Sequence, residues 1–172
     1  MQLTKFTDYC LRVLIYAALR QDGPITIDEV AGNYGISRHH VTKVVYRLGQ
    51  LGYLETSRGK GGGIRLGRRP ELIVIGRVIR DTEEDLGLVE CLQDKGSNCV
   101  IEPACLLKSA MTEALDAFLA VLDRYTLADL IGPKRMLAAT LGISPESLEK
   151  QPDSQSNTPA DNNDQDGNHQ RH

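Results

Sequence analysis

Residues 37–66 read SRHHVTKVVYRLGQLGYLETSRGKGGGIRL, in which a helical pattern is followed by two strand-like segments. Ser37 is a suitable N-cap for a helix that runs to about Gln50. Residues 53–56 and 64–66 lie on either side of a glycine-rich turn, and this arrangement predicts a β-hairpin. The stretch therefore predicts a helix that leads directly into a hairpin.

This predicted helix has two chemically different faces. Its apolar face, which predicts packing on a core, comprises Val41, Val44, Val45 and Leu48. The other face carries hydrogen-bonding and cationic groups, as contacts with base edges and phosphates require. The candidate DNA-binding residues at the start of the helix and on this face are Ser37, Arg38, His39, His40, Lys43 and Tyr46. An ordinary amphipathic surface helix is the alternative.

The turn of the predicted hairpin reads RGKGGG at residues 58–63 and is followed by Arg65. Glycines let a backbone approach a phosphate or enter a narrow groove, while Arg and Lys supply positive charge. The candidate DNA-binding residues here are Arg58, Lys60 and Arg65. The turn lacks the spacing of a Walker loop and its following Ser or Thr, so nucleotide binding is not predicted.

Two further helical patterns, at residues 3–20 and 27–33, precede this stretch. The order helix, helix, turn, helix, hairpin is typical of a winged helix-turn-helix, whose third helix enters the major groove of DNA. The sequence thus predicts a mainly α fold with a small β-hairpin wing.

Beyond the hairpin we expect a short strand at 72–74 and a helix from about residue 75. A long helix is predicted over 103–125, with Pro103 as its first residue, and one more helical turn at 126–131. The long helix has a wide apolar stripe of Leu107, Met111, Ala114, Leu115, Phe118, Leu119 and Leu122.

Charge is divided unevenly along the chain. Residues 1–80 hold 13 Lys/Arg against 6 Asp/Glu, whereas residues 81–172 hold 7 against 17. The basic first half favours a polyanionic partner, with a solvated surface of mixed charge as the alternative. The longest apolar stretch near the start, residues 13–19, is far below the ~20 residues of a membrane span, and no signal pattern precedes it. We therefore expect a cytoplasmic protein without membrane contact.

Three of the four cysteines, Cys91, Cys99 and Cys105, fall within 15 residues. In a cytosolic protein such a group favours metal binding or redox chemistry over structural disulfides. The spacing matches neither a zinc-ribbon CxxC pair nor the familiar ferredoxin runs, and it leaves room for an object larger than one ion, such as an iron–sulfur cluster. A disulfide switch and a zinc-stabilised regulator remain alternatives. No nucleophile–base arrangement or paired-carboxylate signature predicts an enzyme.

Three thiolates leave an iron–sulfur cluster one ligand short of four. Cys10 lies in the apolar stripe of the first helix, which favours a core cysteine over a ligand. Asp8 and Arg12 lie on the opposite face one turn apart, and the residues alone indicate an ordinary surface ion pair. Cys105, expected in the first turn of the long helix, is placed where the helix dipole favours a thiolate.

Several segments resemble the NsrR-type repressors of the Rrf family of winged-helix regulators. They are MQLTKFTDY at 1–9, RGKGGGIRLG at 58–67, the three clustered cysteines, PACLLK at 103–108 and YTLADL at 125–130. The resemblance covers roughly residues 1–131 and implies a homodimer whose long helices cross.

The resemblance also implies a cofactor and its ligands. It implies a [4Fe–4S] cluster held by Cys91, Cys99 and Cys105, with Asp8 of the partner subunit as the fourth ligand and Arg12 beside that ligand. The related IscR regulators carry a [2Fe–2S] cluster with a histidine three residues after the last cysteine. Here that position is Lys108, which favours the [4Fe–4S] type.

Nitric oxide is the implied effector. The resemblance implies that it nitrosylates the cluster, weakens binding to operator DNA and relieves repression. A regulator of the same family that responds through its cluster or its thiols to another signal, such as cluster status or oxidative stress, is the alternative.

These expectations divide the chain into four parts. Residues 1–82 form the winged helix-turn-helix DNA-binding domain, 83–102 the cluster-binding loop and 103–131 the dimerisation helix. Residues 132–172, rich in Ser, Asn, Asp and Gln towards the end, are expected to be a disordered C-terminal tail.

Overall fold

The computed structural model describes residues 2–20, 22–93 and 97–148, in which helices surround one two-stranded hairpin. The helices and strands are α1 (Lys5–Leu19), α2 (Ile27–Tyr34), α3 (Arg38–Gln50), β1 (Leu54–Ser57), β2 (Gly63–Leu66), α4 (Ile75–Thr82), α5 (Leu106–Leu122), α6 (Leu127–Leu130) and α7 (Lys134–Thr140). The predicted fold class is therefore confirmed. Within the described residues, no helix is both long and apolar enough to span a bilayer.

Polar side chains begin each of the first three helices. Thr4 accepts a hydrogen bond from the first turn of α1. Thr26 and Glu29 form a reciprocal capping box at α2, with hydrogen bonds of 2.6 and 3.2 Å. Ser37 caps α3 as predicted, because its Oγ accepts from the His40 amide at 3.3 Å. Each such cap stabilises its helix by about 1 kcal/mol, so local chemistry sets these boundaries.

The apolar faces of α1 and α3 pack against each other and form the centre of the core. In the predicted apolar stripe of α1, Phe6 is partly buried. The other predicted core positions of the two helices are buried, namely Cys10, Val13, Leu14, Ala17, Val41, Val44, Val45 and Leu48. Tyr16 and Tyr53 are the largest of the fully buried side chains. Since the chain has no Trp and two Phe, aliphatic packing dominates this core.

The hairpin is attached to the rest of the domain through Ile64. Its backbone exchanges hydrogen bonds of 2.9 and 2.8 Å with Ile25, in the connection between α1 and α2. Ile64 is buried and Arg65 is exposed, as the alternation of a half-buried strand requires. Gly63 has a φ of 151°, and a Cβ there would lie 2.8 Å from the Ile25 carbonyl oxygen. Only glycine fits this close approach.

The expected strand at 72–74 is wrong. Pro70–Leu72 is a 3-10 turn, and the pairing is limited to an isolated bridge between Val74 and Thr126. The partner is more than fifty residues away in sequence, so local periodicity carries no signal for it. The helix expected from about residue 75 is confirmed as α4.

The long helix starts later and ends earlier than predicted. Pro103 belongs to a separate 3-10 turn, and α5 begins at Leu106 because Cys105 has an extended backbone, with φ −84° and ψ 107°. Cys105 is therefore the N-cap of α5 and not part of its first turn. At the other end, the Tyr125 carbonyl accepts a 2.9 Å hydrogen bond from the Ile75 amide, in a segment that has left the helix.

Residues 132–148 are folded, which corrects the expected start of disorder at residue 132. Ala138 and Ile143 are buried, and Ser147 donates a 2.9 Å hydrogen bond from Oγ to the Asp22 carboxylate. Ala138 and Ile143 belong to the same apolar core as the DNA-binding part, and the apolar residues at 136–143 were the sequence signal for this packing. The remainder of the expected tail, residues 149–172, lies outside the described residues.

Candidate DNA interface and cysteine site

The outer face of α3 is exposed along its whole length. His39, His40, Lys43 and Tyr46 all project from it, and Tyr46 is 68% exposed. Gln50 donates a 3.0 Å hydrogen bond from Nε2 to the Tyr46 hydroxyl, which orients that ring on the helix surface. The structure therefore brings the predicted α3 residues onto one polar, solvent-facing surface.

The N-terminal end of α3 is tied to neighbouring helices. The Oγ of Ser37 lies 2.9 Å from Nδ1 of His40, whose ring centroid is 5.8 Å from that of Tyr9 in α1. Arg38 donates two hydrogen bonds, of 2.7 and 2.9 Å, to the Asp28 carboxylate of α2. The contact between Tyr9 and His40 links α1 to the recognition helix, and the sequence pattern did not reveal it.

The candidate cations of the hairpin occupy two places. Arg58 and Lys60 are exposed in the turn, whereas Arg65 is exposed on β2, opposite Glu55 of β1. A Cβ at Gly62 would lie 2.5 Å from the Ser57 carbonyl oxygen, so the sharp turn depends on glycine. The turn cations and the α3 residues are thus placed on separate elements of the same domain.

The three clustered cysteines lie in three different local structures. Cys91 lies in the 3-10 turn Glu90–Leu92, which packs on α5, Cys99 is exposed, and Cys105 caps α5. All three are free thiols, with Cys91 and Cys105 partly buried. No group of three or more His, Cys, Asp and Glu side chains within 2–20, 22–93 and 97–148 is arranged to hold a metal ion.

A lysine, Lys108, lies in the first turn of α5, three residues after Cys105. Lys108 forms a 2.5 Å ion pair with Glu102, and this contact raises the pKa of its ammonium group. The nearby thiols of Cys91 and Cys105 act on the pKa of Lys108 in the same direction. Glu102 and Lys108 are six residues apart, and only spacings of three or four place side chains together on a helix, so the sequence carried no signal for this ion pair.

Asp8 and Arg12 form the ion pair that their spacing indicated. The guanidinium contacts both carboxylate oxygens, at 3.1 and 2.8 Å, and also lies 5.8 Å from the ring centroid of Tyr34. The Asp8 side chain keeps 46% of its surface exposed. Cys10, by contrast, is fully buried, and burial raises the pKa of its thiol to about 12. The prediction of a core cysteine is confirmed.

Comparison with known proteins identifies the family to which this chain belongs. A family model described as "Rrf2: Iron-dependent Transcriptional regulator" matches residues 3–133. The chain belongs to the Rrf2 family. The resemblance seen in the sequence is confirmed, and so is the expectation of a transcriptional regulator in place of an enzyme.

The sequence relatives of this Rrf2 protein include two named HTH-type transcriptional regulator NsrR. The protein of Geobacillus kaustophilus (strain HTA426) is 53% identical over 142 residues, covering 82% of this chain and 97% of the relative. That of Bacillus subtilis (strain 168) is 56% identical over 135 residues, covering 78% and 92%.

Solved structures of similar fold include CymR, the global cysteine regulator of B. subtilis. It superposes with a TM-score of 0.62 at 28% identity, over 77% of this chain and 98% of CymR. The IscR of T. potens has a TM-score of 0.63 at 23% identity, over 77% of this chain and 88% of IscR, and shares the fold.

Proposed function

We propose that this Rrf2 protein is a homodimeric, cytoplasmic repressor that binds operator DNA and releases it in response to nitric oxide. The cofactor we propose is a [4Fe–4S] cluster, held by Cys91, Cys99, Cys105 and Asp8 of the partner subunit. The likeness to NsrR proteins, above 50% identity over more than three quarters of the chain, carries the proposal.

The donor set fits an iron–sulfur cluster chemically. Three free thiols come from one short segment, and thiolates are the usual ligands of such clusters. Cys105 is the N-cap of α5, at the positive end of the helix dipole, and Lys108 is three residues further along the same helix. When bound, the cluster supplies iron sites that react with nitric oxide.

Asp8 is suited to act between subunits. Its carboxylate is half exposed and is oriented by two contacts from Arg12. A carboxylate is a harder ligand than a thiolate, so it forms the weaker bond to a thiolate-bound cluster. The next residue, Tyr9, contacts His40 at the start of α3. A change in what holds Asp8 is therefore transmitted by α1 to the recognition helix.

The surface of α5 supports the proposed homodimer. Of its 17 residues, Leu119 is the one that a single chain buries. Leu107 on the apolar stripe remains 56% exposed, and Val121, at the edge of the stripe, remains 44% exposed. Apolar faces of this length are covered by a partner in soluble proteins. Pairing through α5 gives two copies of α3, and both must match half-sites about one helical turn apart.

The deciding experiment is an anaerobic purification followed by iron and acid-labile sulfide assays. We expect a brown protein with four iron atoms per chain. This protein should bind a DNA duplex that it has selected from a pool of random sequences. Addition of nitric oxide should weaken binding to that duplex at least ~10-fold. A colourless protein, or an affinity that nitric oxide leaves unchanged, contradicts the proposal.

Matched variants test the proposed ligands. Cys99→Ser should lose the iron, whereas Cys10→Ala should retain it, because Cys10 belongs to the core. Asp8→Ala should change the visible spectrum, whereas Asp28→Ala, which removes the carboxylate of another Arg–Asp pair, should not. If Asp8→Ala and Asp28→Ala give the same spectrum, Asp8 is a surface ion pair and no ligand.

A metal-free thiol switch is the second candidate. It is favoured by the exposure of Cys99 and by the free state of all three thiols. A CymR of Staphylococcus aureus, 26% identical with a TM-score of 0.60, has a solved structure in an oxidized form. The same anaerobic preparation separates the candidates, because a disulfide switch contains no iron or acid-labile sulfide.

A further inference from the structure

A cavity of about 840 Å³ lies at the base of the hairpin, away from the clustered cysteines. Its walls come from the end of α1, the segment from β2 to the 3-10 turn at Pro70–Leu72, and the chain from α6 to α7. Leu66, Pro70 and Ala128 provide partly exposed apolar lining, whereas Ala17, Ala18 and Ile131 lie almost fully buried in the wall. This volume is in the range of small-molecule sites, which combine apolar walls with a few polar groups.

Five cationic side chains line the same cavity, and two of them already have partners. Arg20 is paired with Asp22 and Glu29 at 2.9 and 2.8 Å. Arg68 donates to the Leu51 carbonyl at 2.8 Å and lies 4.8 Å from the ring centroid of Tyr53. These two arginines hold the walls together, so they are not available to a ligand.

The other three cations are Arg65, Arg69 and Lys134. Among the described residues, neither Arg65 nor Lys134 has a salt bridge or a side-chain hydrogen bond. Arg69 has a single 3.4 Å contact with Glu71, and its side chain is 79% exposed, so this pair holds it weakly. Three available positive charges therefore face one cavity that contains one carboxylate, that of Glu71.

We propose that this cavity binds a small organic anion that carries a phosphoryl group on an apolar body. Guanidinium groups match phosphate oxygens with two parallel hydrogen bonds, and a lysine adds a mobile charge. A bare phosphate leaves most of the volume empty, whereas an apolar body fills the space along Leu66, Pro70 and Ala128. Neither the cysteines nor the outer face of α3 takes part in this site, which shares Arg65 with the candidate DNA-binding residues of the hairpin.

The location of the cavity gives such a ligand a consequence for the regulator. Its cations come from two parts of the fold: Arg65 and Arg69 follow the hairpin turn, and Lys134 begins the segment after α5 and α6. A phosphoryl group held by both parts cross-links the DNA-binding domain to the chain that follows the proposed dimerisation helix. The ligand therefore adds a contact between the base of the hairpin and this segment, which already packs on the domain, and it does so independently of the cluster.

Calorimetric titration of the full-length protein with two probes tests the site. At constant ionic strength, phenyl phosphate should bind about tenfold more tightly than inorganic phosphate, because its ring is buried against the apolar wall. The double variant Arg69→Gln/Lys134→Gln should weaken binding of phenyl phosphate about tenfold through loss of charge-assisted hydrogen bonds. Arg135→Gln, which removes the adjacent cation outside the cavity lining, should bind like the original protein.

Two outcomes overturn the proposal. The first is that the original protein, the double variant and Arg135→Gln bind phenyl phosphate with equal affinity. If the double variant unfolds, the single variant Lys134→Gln takes its place in this comparison. The second is a loss of operator affinity above threefold for the double variant in phosphate-free buffer. Such a loss would mean that Arg69 and Lys134 contact phosphates of the DNA backbone and, together with the wing, strengthen binding to the operator.

Discussion

The helices α3 and α5 are both amphipathic. A single chain covers the apolar face of α3, but it leaves much of the apolar face of α5 exposed. Val41, Val44 and Leu48 on α3 are fully buried, whereas Leu107 on the stripe of α5 is 56% exposed. The cysteines differ in the same way, since Cys10 is buried and Cys99 is exposed. The DNA-binding domain is thus a finished unit within one chain. In the region from Cys91 to the end of α5, by contrast, the thiol of Cys99 and the apolar side chain of Leu107 remain exposed in the single chain.

The largest expected effect comes from breaking the exposed face of α5. Leu107→Glu/Val121→Glu places two carboxylates in the proposed subunit interface, where their desolvation is costly. We expect a monomer in sedimentation analysis and operator affinity more than ~100-fold weaker, because a monomer grips one half-site. Met136→Glu, at a 72% exposed apolar residue on α7, should remain dimeric. A dimer with unchanged affinity for the first variant would remove α5 from the interface.

A smaller effect is expected in the DNA-binding domain, from the substitution Lys43→Ala on α3. This change removes an exposed cation from α3. Operator affinity should fall about tenfold, and the slope of log affinity against log salt should decrease by about 0.9. Arg47→Ala is the matched control, because the Arg47 guanidinium donates to the Asp81 carbonyl at 3.1 Å within the domain. An equal change of salt slope in both variants would contradict the assignment of Lys43.

The smallest expected effect concerns the buried contact between the hairpin and α4. Tyr53 donates a 2.7 Å hydrogen bond to Asp81, and burial together with this bond raises the pKa of Tyr53 to about 12. Tyr53→Phe should lower the free energy of unfolding by about 1 kcal/mol at pH 8.

The pH dependence supplies the check on Tyr53. Its folded-state pKa is above the unfolded value near 10, so the unfolded state loses its proton first as pH rises. The stability that Tyr53 contributes is complete below pH 10 and declines between pH 10 and 12. Thermal unfolding should show the difference between the two proteins shrinking over that range. A difference that stays constant from pH 8 to 11 would contradict the role of this hydrogen bond.

Much of the geometry of the cysteine site could not be predicted from the sequence, and the reason is physical. The spacing of Cys91, Cys99 and Cys105 identified the ligands to propose, but not the extended backbone at Cys105 that starts α5 late. Nor did it indicate that Lys108 pairs with Glu102. Such features depend on how a short loop meets a helix end, and loop backbones have no periodicity from which to predict them.

The sequence by itself determined the elements whose cause is local. Helical spacing located the core faces of α1 and α3, Ser37 marked the start of α3, and the glycines at 59–63 marked the turn. Tertiary structure alone decided the bridge between Val74 and Thr126, the folding of 132–148 onto the domain, and the cavity at the hairpin base. These join residues far apart in the chain, and contacts of that kind form only when packed elements bring their surfaces together.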